Sequence, residues 1–433
     1  LKTISMKYGK TKIDVSIPQE NLLGIIASNK EIRNKTEEEV VLEALDKPIE
    51  SNKLREIVNK GDKVCIVISD ITRAWQKMNF YLPYIVEELE KADIREEDII
   101  FLCATGTHRK QTKKEHGILL GEKLAKRFQV IDHDCMDKDN LVYLGTTSFG
   151  TPVSINKIAL ECDHIIITGA IVYHDMAGWG GGRKSILPGI SSYESIMANH
   201  ALALNKKLGE GSNLKVRCGN AATNPIHQDM LEAAKLVKPS YLFNVIMDEK
   251  GNIIKAVAGD YIKAHEIGRR IVDEIDGVVI NEKADLVIAS SGGYPKDIDL
   301  YQATKTLSNA KEAAKENGTI IILSECVEGV GSDDLQKIIQ DYENNVEREK
   351  AVRENFTVAK YIGYSMAEAA KSFNIIFVSG IDKSILKNIN IPVVSTIDEA
   401  LEITYKEKGR NLKTYLMPCG ANTLPKLTCQ VSK

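Results

Sequence analysis

Residues 164–200 read HIIITGAIVYHDMAGWGGGRKSILPGISSYESIMANH. The opening HIIITGA is an apolar, β-branched run of strand length. The stretch that follows is polar and rich in glycine. From Ser191 or Ser192, either of which can serve as an N-cap, the spacing turns helical through ISSYESIMAN. A buried strand, a long polar loop and a helix in direct succession form the repeating unit of an α/β fold.

The same alternation runs outward in both directions. KVCIVIS (63–69), IIFLCA (99–104), FQVID (128–132), LVIAS (286–290), TIIILSE (319–325) and NIIFVSG (374–380) read as buried strands. Helical patterns occupy 80–92 and 299–317. The stretch 241–260 predicts a hairpin turning at Glu249–Gly251, followed by a helix to about residue 275. The expected architecture is two α/β domains with mostly parallel sheets and an active-site cleft between them. The boundary is placed near 278–284. This gives an N-terminal cofactor-binding and catalytic domain over 1–278 and a C-terminal α/β domain over 279–411. TYLMPCG (414–420) is read as a strand by which 412–433 rejoins the first domain.

Polar motifs track the strand ends. SDITR (69–73), ATGTHR (104–109), IVYHD (171–175) and SGGYPKD (291–297) each follow a predicted strand. In open α/β sheets ligands sit beyond the carboxyl ends of strands, where loops converge and helix N-termini point inward.

Bulk properties exclude several classes. A chain of 433 residues exceeds one ordinary core. A net charge of −3 offers no broad basic surface, so no nucleic-acid partner is expected. No apolar run approaches the roughly 18 residues of a membrane span. The opening LKTISMKYGK is polar and has no signal-peptide core, so a cytoplasmic location is expected. Eight scattered cysteines, none in a C-x-x-C pair, read as reduced thiols, several of them buried, rather than a zinc site.

The loop chemistry is specific in type. GWGGGRKS (178–185) departs from a P-loop because Arg183 stands where the second glycine belongs. Gly181 and Gly182 would let backbone N–H groups cradle a phosphate, with Arg183 and Lys184 adding charge. Lys184 is also a candidate nucleophile or covalent anchor. A tight solvent loop is the plain alternative. His108, His174 and His200 suit proton transfer or metal ligation, although each can equally be a hydrogen-bonded structural residue. His133, in the run DHD (132–134), is a weaker ligand candidate. Arg73 and Lys296 are candidate carboxylate binders. Asp70 can orient Arg73 or accept from a sugar hydroxyl, and Thr72 and Thr105 can donate to a phosphate.

Taken together, SDITR, ATGTHR, the long motif YHDMAGWGGGRKSILPGISSYESIMANH (173–200) and SGGYPKD resemble the lactate racemase family, isomerases that use a nickel-pincer nucleotide. The resemblance implies that Lys184 holds the cofactor covalently through a thioamide and that His200 completes nickel coordination. It makes His108 and His174 the pair of general bases, Arg73 and Lys296 the cations at the substrate, and Asp70 a neighbour of the cofactor. It also implies accessory proteins that make and load the cofactor. A soft S,C,S donor set plus one imidazole suits square-planar Ni(II). Racemisation of a 2-hydroxy acid by reversible hydride transfer through a 2-keto acid avoids a carbanion beside a carboxylate. It also needs one base for the hydroxyl of each enantiomer.

The chain departs from the family pattern in two places. Ala74 and Trp75 follow Arg73 where many members have proline, and Trp75 and Trp179 are the only tryptophans, whereas lactate-acting members carry one in the second domain. Tyr361 and Tyr364 lie in the region that would supply that wall. The pocket is therefore expected to admit lactate or a larger or more polar 2-hydroxy acid. Two other readings stay open: a phosphate-binding transferase or kinase built on the glycine loop, and a non-catalytic small-molecule binder.

Overall fold

A computed structural model of the chain describes residues 1–29 and 34–428. The chain forms two compact units. One, the loop-bearing unit, comprises Glu31–Leu202 and Asn220–Val272; the other, the terminal unit, comprises Leu1–Lys30, Ala203–Gly219 and Asp273–Lys433.

The loop-bearing unit is built on a six-stranded sheet in the order Ile253–Gly259, Tyr241–Met247, His164–Ala170, Val64–Ser69, Ile99–Ala104 and Gln129–Asp132. The first pair is the antiparallel hairpin expected over 241–260, and every other neighbour is parallel. Parallel strands are covered on both faces, which is why Val64–Ser69 reads as an unbroken apolar run and is buried through Ile68. The helices Glu37–Asp46 and Met78–Glu90 close one cluster with it, where Val41, Tyr81, Leu82 and Ile85 meet Ile66, Ile68 and Phe101. Each such buried side chain contributes about 1.5–3 kcal/mol. The chain starts at Val64–Ser69, winds outward to Ile99–Ala104 and Gln129–Asp132, then returns to the opposite side at His164–Ala170. The strand order reverses between Val64–Ser69 and His164–Ala170. A crevice forms beyond such a reversal because the two flanking loops leave in opposite directions.

The terminal unit repeats the scheme. Its sheet runs Val393–Val394, Asn374–Val378, Ala314–Leu323, Ala284–Ser290, Thr414–Met417 and Leu22–Ile25, all parallel. The order reverses beside Ala284–Ser290, whose end carries SGGYPKD.

Three expectations are corrected here. Thr414–Met417 does not rejoin the first domain; it pairs with Ala284–Ser290, Leu286 facing Thr414 and Ala289 facing Met417. Residues 1–278 do not form one body. The hairpin Lys2–Tyr8/Thr11–Ile17 buries Met6, Val15 and Ile17 against Leu286, Ile288 and Ile321, and Leu22–Ile25 becomes the sheet edge beside Thr414–Met417. Residues 203–219 also belong to the terminal unit. Finally, the helix expected over 299–317 stops at Ala313, because the next strand begins at Ala314. Among the described residues no helix is long and apolar enough to cross a membrane.

Candidate active site

The loop after Val64–Ser69 begins with Asp70, which caps the short 3-10 turn Ile71–Gln76 by accepting from the Thr72 N–H. Its other oxygen, Oδ2, lies 2.6 Å from Nδ1 of His108. His108 is brought there by a tight turn in ATGTHR, closed by its own N–H donating to the Thr105 carbonyl at 2.8 Å. Burial pushes the Asp70 carboxyl up, but the His108 and Thr72 hydrogen bonds and the Arg73 charge outweigh it, and it settles below the usual carboxylate value. A carboxylate on Nδ1–H leaves Nε2 of His108 as the basic nitrogen. Arg73 stays at the mouth of this loop. Its guanidinium reaches only the Thr72 carbonyl, at 3.4 Å, and pairs with no carboxylate among the described residues.

The loop after His164–Ala170 carries a second group of candidate residues. Nε2 of His174 lies 3.2 Å from the Lys184 amine, and its Nδ1 lies 3.0 Å from Oδ1 of Asp175. That Nδ1 also accepts from the backbone N–H groups of Met176 and Ala177, at 3.2 and 3.3 Å, so both ring nitrogens of His174 face N–H donors. His200 sits on the helix Tyr193–Ala201, capped by Ser192. Its Nδ1–H donates to the Ile196 carbonyl at 2.9 Å, so the lone pair is on Nε2. Burial first, then the charges of Lys184 and His174, push His200 down to about 3. A neutral imidazole with one nitrogen anchored to a carbonyl is the form a metal ligand requires. Among the described residues no group of three or more His, Cys, Asp or Glu is arranged to hold an ion. A metal at His200 would therefore take most of its donors from a bound group.

Of the two N–H groups expected to cradle a phosphate, that of Gly182 is spent on Oδ1 of Asn244. The N–H groups of Gly180 and Lys184 are also used internally, on the Val172 carbonyl and on the Gly181 carbonyl. The glycines are there for close packing. A Cβ on Gly181 would lie 2.6 Å from Oδ1 of Asn244 and 2.8 Å from the Ala170 carbonyl; one on Gly182 would lie 2.6 Å from the His265 ring. Arg183, expected to face a ligand, is 3% exposed and bonds instead to His227, His265 and the carbonyls of Ala177 and Trp179. The hydroxyls of Thr72 and Thr105 are likewise committed, to Asp70 and to the His133 carbonyl. His133 is structural. It donates to the Ser191 carbonyl and accepts from Asn156, tying the DHD turn to the start of the His200 helix.

Lys296 lies in the terminal unit, in the loop that ends Ala284–Ser290, where its N–H closes a turn on the Gly293 carbonyl. Of the residues expected to shape a pocket wall, Trp75 is 45% exposed, so it is not ordinary core packing. Tyr361 and Tyr364 are buried, and the Tyr364 hydroxyl is held by Glu349 and Glu368. Sequence reasoning missed Asn244, Asp175, His227 and His265. Asp175 was next to a named histidine and could have been found; the other three carry no local signal.

Family models described as the lactate racemase N-terminal domain and the lactate racemase C-terminal domain match residues 8–211 and 279–424. The chain is 34% identical over 438 residues to a lactate racemase of Lactiplantibacillus plantarum, covering 98% of this chain and 99% of that protein. It is 37% identical over 336 residues to one of Thermoanaerobacterium thermosaccharolyticum, covering 77% of this chain and 76% of the relative. Its fold matches the lactate racemase apoprotein structure from the latter organism with a TM-score of 0.89 at 31% identity, covering 98% of this chain and 100% of that one. The chain is an isomerase and belongs to the lactate racemase family.

Proposed function

We propose that this protein interconverts the enantiomers of a 2-hydroxy carboxylic acid, lactate or a larger relative, with a nickel-pincer nucleotide held covalently at Lys184 and ligated through nickel by His200. The observation that carries this reading is the company Lys184 keeps: its amine lies 3.2 Å from Nε2 of His174 and its charge bears on a neutral His200 whose Nε2 holds the lone pair. The donor set fits the group, since a single imidazole is offered and a pincer brings its own remaining donors. When bound, the nucleotide supplies a hydride acceptor that spares the substrate a carbanion.

The protein does the rest. Arg73 and Lys296 bind the substrate carboxylate, the guanidinium as a fork and the ammonium as a point charge. His108, oriented by Asp70, takes the hydroxyl proton of one enantiomer, and His174, held through Nδ1 by the Met176 and Ala177 N–H groups, takes that of the other. The 2-keto acid between them has lost its stereocentre, so return of hydrogen to either face is open. Commitment of Lys184 to a thioamide removes a positive charge from beside both His174 and His200. Loading depends on cofactor-synthesis proteins.

The test is co-expression with those proteins, followed by intact mass, nickel content and racemisation across a panel of 2-hydroxy acids. A mass increment at Lys184, stoichiometric nickel and turnover support the reading. An unmodified chain without turnover overturns it.

A further inference from the structure

The feature left unexplained by the roles above is Arg183. A guanidinium is always charged, and burying one is costly unless its donors are met. Among the described residues Arg183 has no carboxylate partner. Its Nη2 lies 2.6 Å from Nδ1 of His227, 3.1 Å from the Ala177 carbonyl and 3.4 Å from the Trp179 carbonyl; its Nη1 lies 3.3 Å from the ring nitrogens of His265. His265 passes the connection on, because its Nε2 lies 2.9 Å from the Gly180 carbonyl. Nδ1 of His227 lies between the Arg183 guanidinium, at 2.6 Å, and the Ala177 carbonyl, at 3.1 Å, so it joins the guanidinium to the turn. With Nε2–H of His265 given to Gly180, its Nδ1 faces Arg183 as the acceptor. Both imidazoles are held neutral, by burial first and then by the charges of Arg183 and Arg269.

The carbonyls gathered this way, 177, 179 and 180, all lie on the turn that begins at His174 and ends at Lys184. We propose that Arg183 is a positioning residue: its guanidinium, seated on His227 and His265, clamps this turn and thereby holds the Lys184 amine against Nε2 of His174. The absence of a side chain at Gly182 is part of the device, since a Cβ there would lie 2.6 Å from the His265 ring and push it off Arg183. The clamp rests on the proposed function only for its consequence in catalysis; the Lys184–His174 contact exists in the chain by itself.

Two measurements separate the clamp from that function. On protein expressed without cofactor-synthesis proteins, the rate at which an N-hydroxysuccinimide ester labels Lys184 is read by peptide mass spectrometry, with exposed Lys250 as the internal reference. Arg183→Lys keeps the charge and loses the fork; His227→Leu removes the polar contacts to Arg183 and Ala177; His227→Gln restores an acceptor and a donor there. The first two are expected to change Lys184 labelling by about threefold or more relative to Lys250, and His227→Gln to bring it back toward wild type. In loaded protein, Arg183→Lys is expected to lower kcat roughly 10–100-fold with KM within about twofold, the mark of misplaced groups rather than lost substrate contacts. Unchanged labelling in Arg183→Lys and His227→Leu overturns the clamp even if the wild type loads and turns over. Altered labelling with a wild type that never acquires cofactor upholds the clamp and removes the proposed function.

Discussion

The Lys184 amine lies 3.2 Å from Nε2 of His174, although the two residues sit at opposite ends of a glycine-rich turn. A primary amine is needed to form a thioamide tether, and an arginine in its place would preserve charge but not that chemistry. Lys184→Arg is therefore expected to show no mass increment and no bound nickel after co-expression with the synthesis proteins. Retention of the full increment in this variant would remove the assignment of Lys184.

Asp70 and His108 form a carboxylate–imidazole pair at 2.6 Å. Asp70→Asn keeps the shape of the pair but no longer enforces Nδ1 protonation. Loading should persist while kcat falls about 10²–10⁴-fold, the range expected when a base is held in the wrong tautomer. Comparing kcat at matched nickel content decides it, and a loss under threefold (~0.65 kcal/mol) would argue that His108 is not oriented by Asp70.

Arg73 keeps its guanidinium clear of protein carboxylates among the described residues. Replacing the fork by a point charge in Arg73→Lys should raise KM for 2-hydroxy acids about tenfold or more. An unchanged KM over the whole panel would place the substrate carboxylate elsewhere.

His227 is pushed down to about 2 by burial and then by Arg183 and Arg269, far below the value of about 6.5 in an unfolded chain. Between those values the unfolded state binds the proton and the folded state does not. Its contribution to stability is therefore present above about pH 6.5 and is lost as pH falls toward 2. Urea midpoints measured from pH 7 to pH 4 should fall more steeply for wild type than for His227→Gln. Parallel slopes would count against a neutral, buried His227.

Gly182 has φ +54°, and a Cβ there meets the His265 ring. Gly182→Ala is expected to cost about 1–2 kcal/mol for the left-handed backbone and about 1–3 kcal/mol for the clash, read from equilibrium denaturation. A midpoint equal to wild type would mean that the turn relaxes freely, contrary to close packing.

Alternation of apolar runs with helical patterns, the hairpin over 241–260 and the polar tips after each strand were legible because they depend on local periodicity. Parallel strands buried on both faces announce themselves as continuous apolar runs. Asp70, His108 and His174 were accessible as candidates for the same reason, each lying just past such a run, and Lys184 was accessible from the glycine loop GWGGGRKS. The addresses of Leu22–Ile25 and Thr414–Met417 were not legible. A four-residue apolar strand fits any open slot, and the slot beside Ala284–Ser290 exists only once the sheet has formed.

The amino-acid sequence by itself determined the α/β character and which chemical groups stand at the strand ends. The tertiary structure alone decided how those groups are used. Gly181 and Gly182 became packing elements, Arg183 turned inward to two distant histidines, and the Thr72 and Thr105 hydroxyls were committed inside the protein. The reason is physical. Propensity and periodicity act between near neighbours, whereas a buried donor must take whatever acceptor the fold brings within hydrogen-bonding distance, and those acceptors lie far away along the chain.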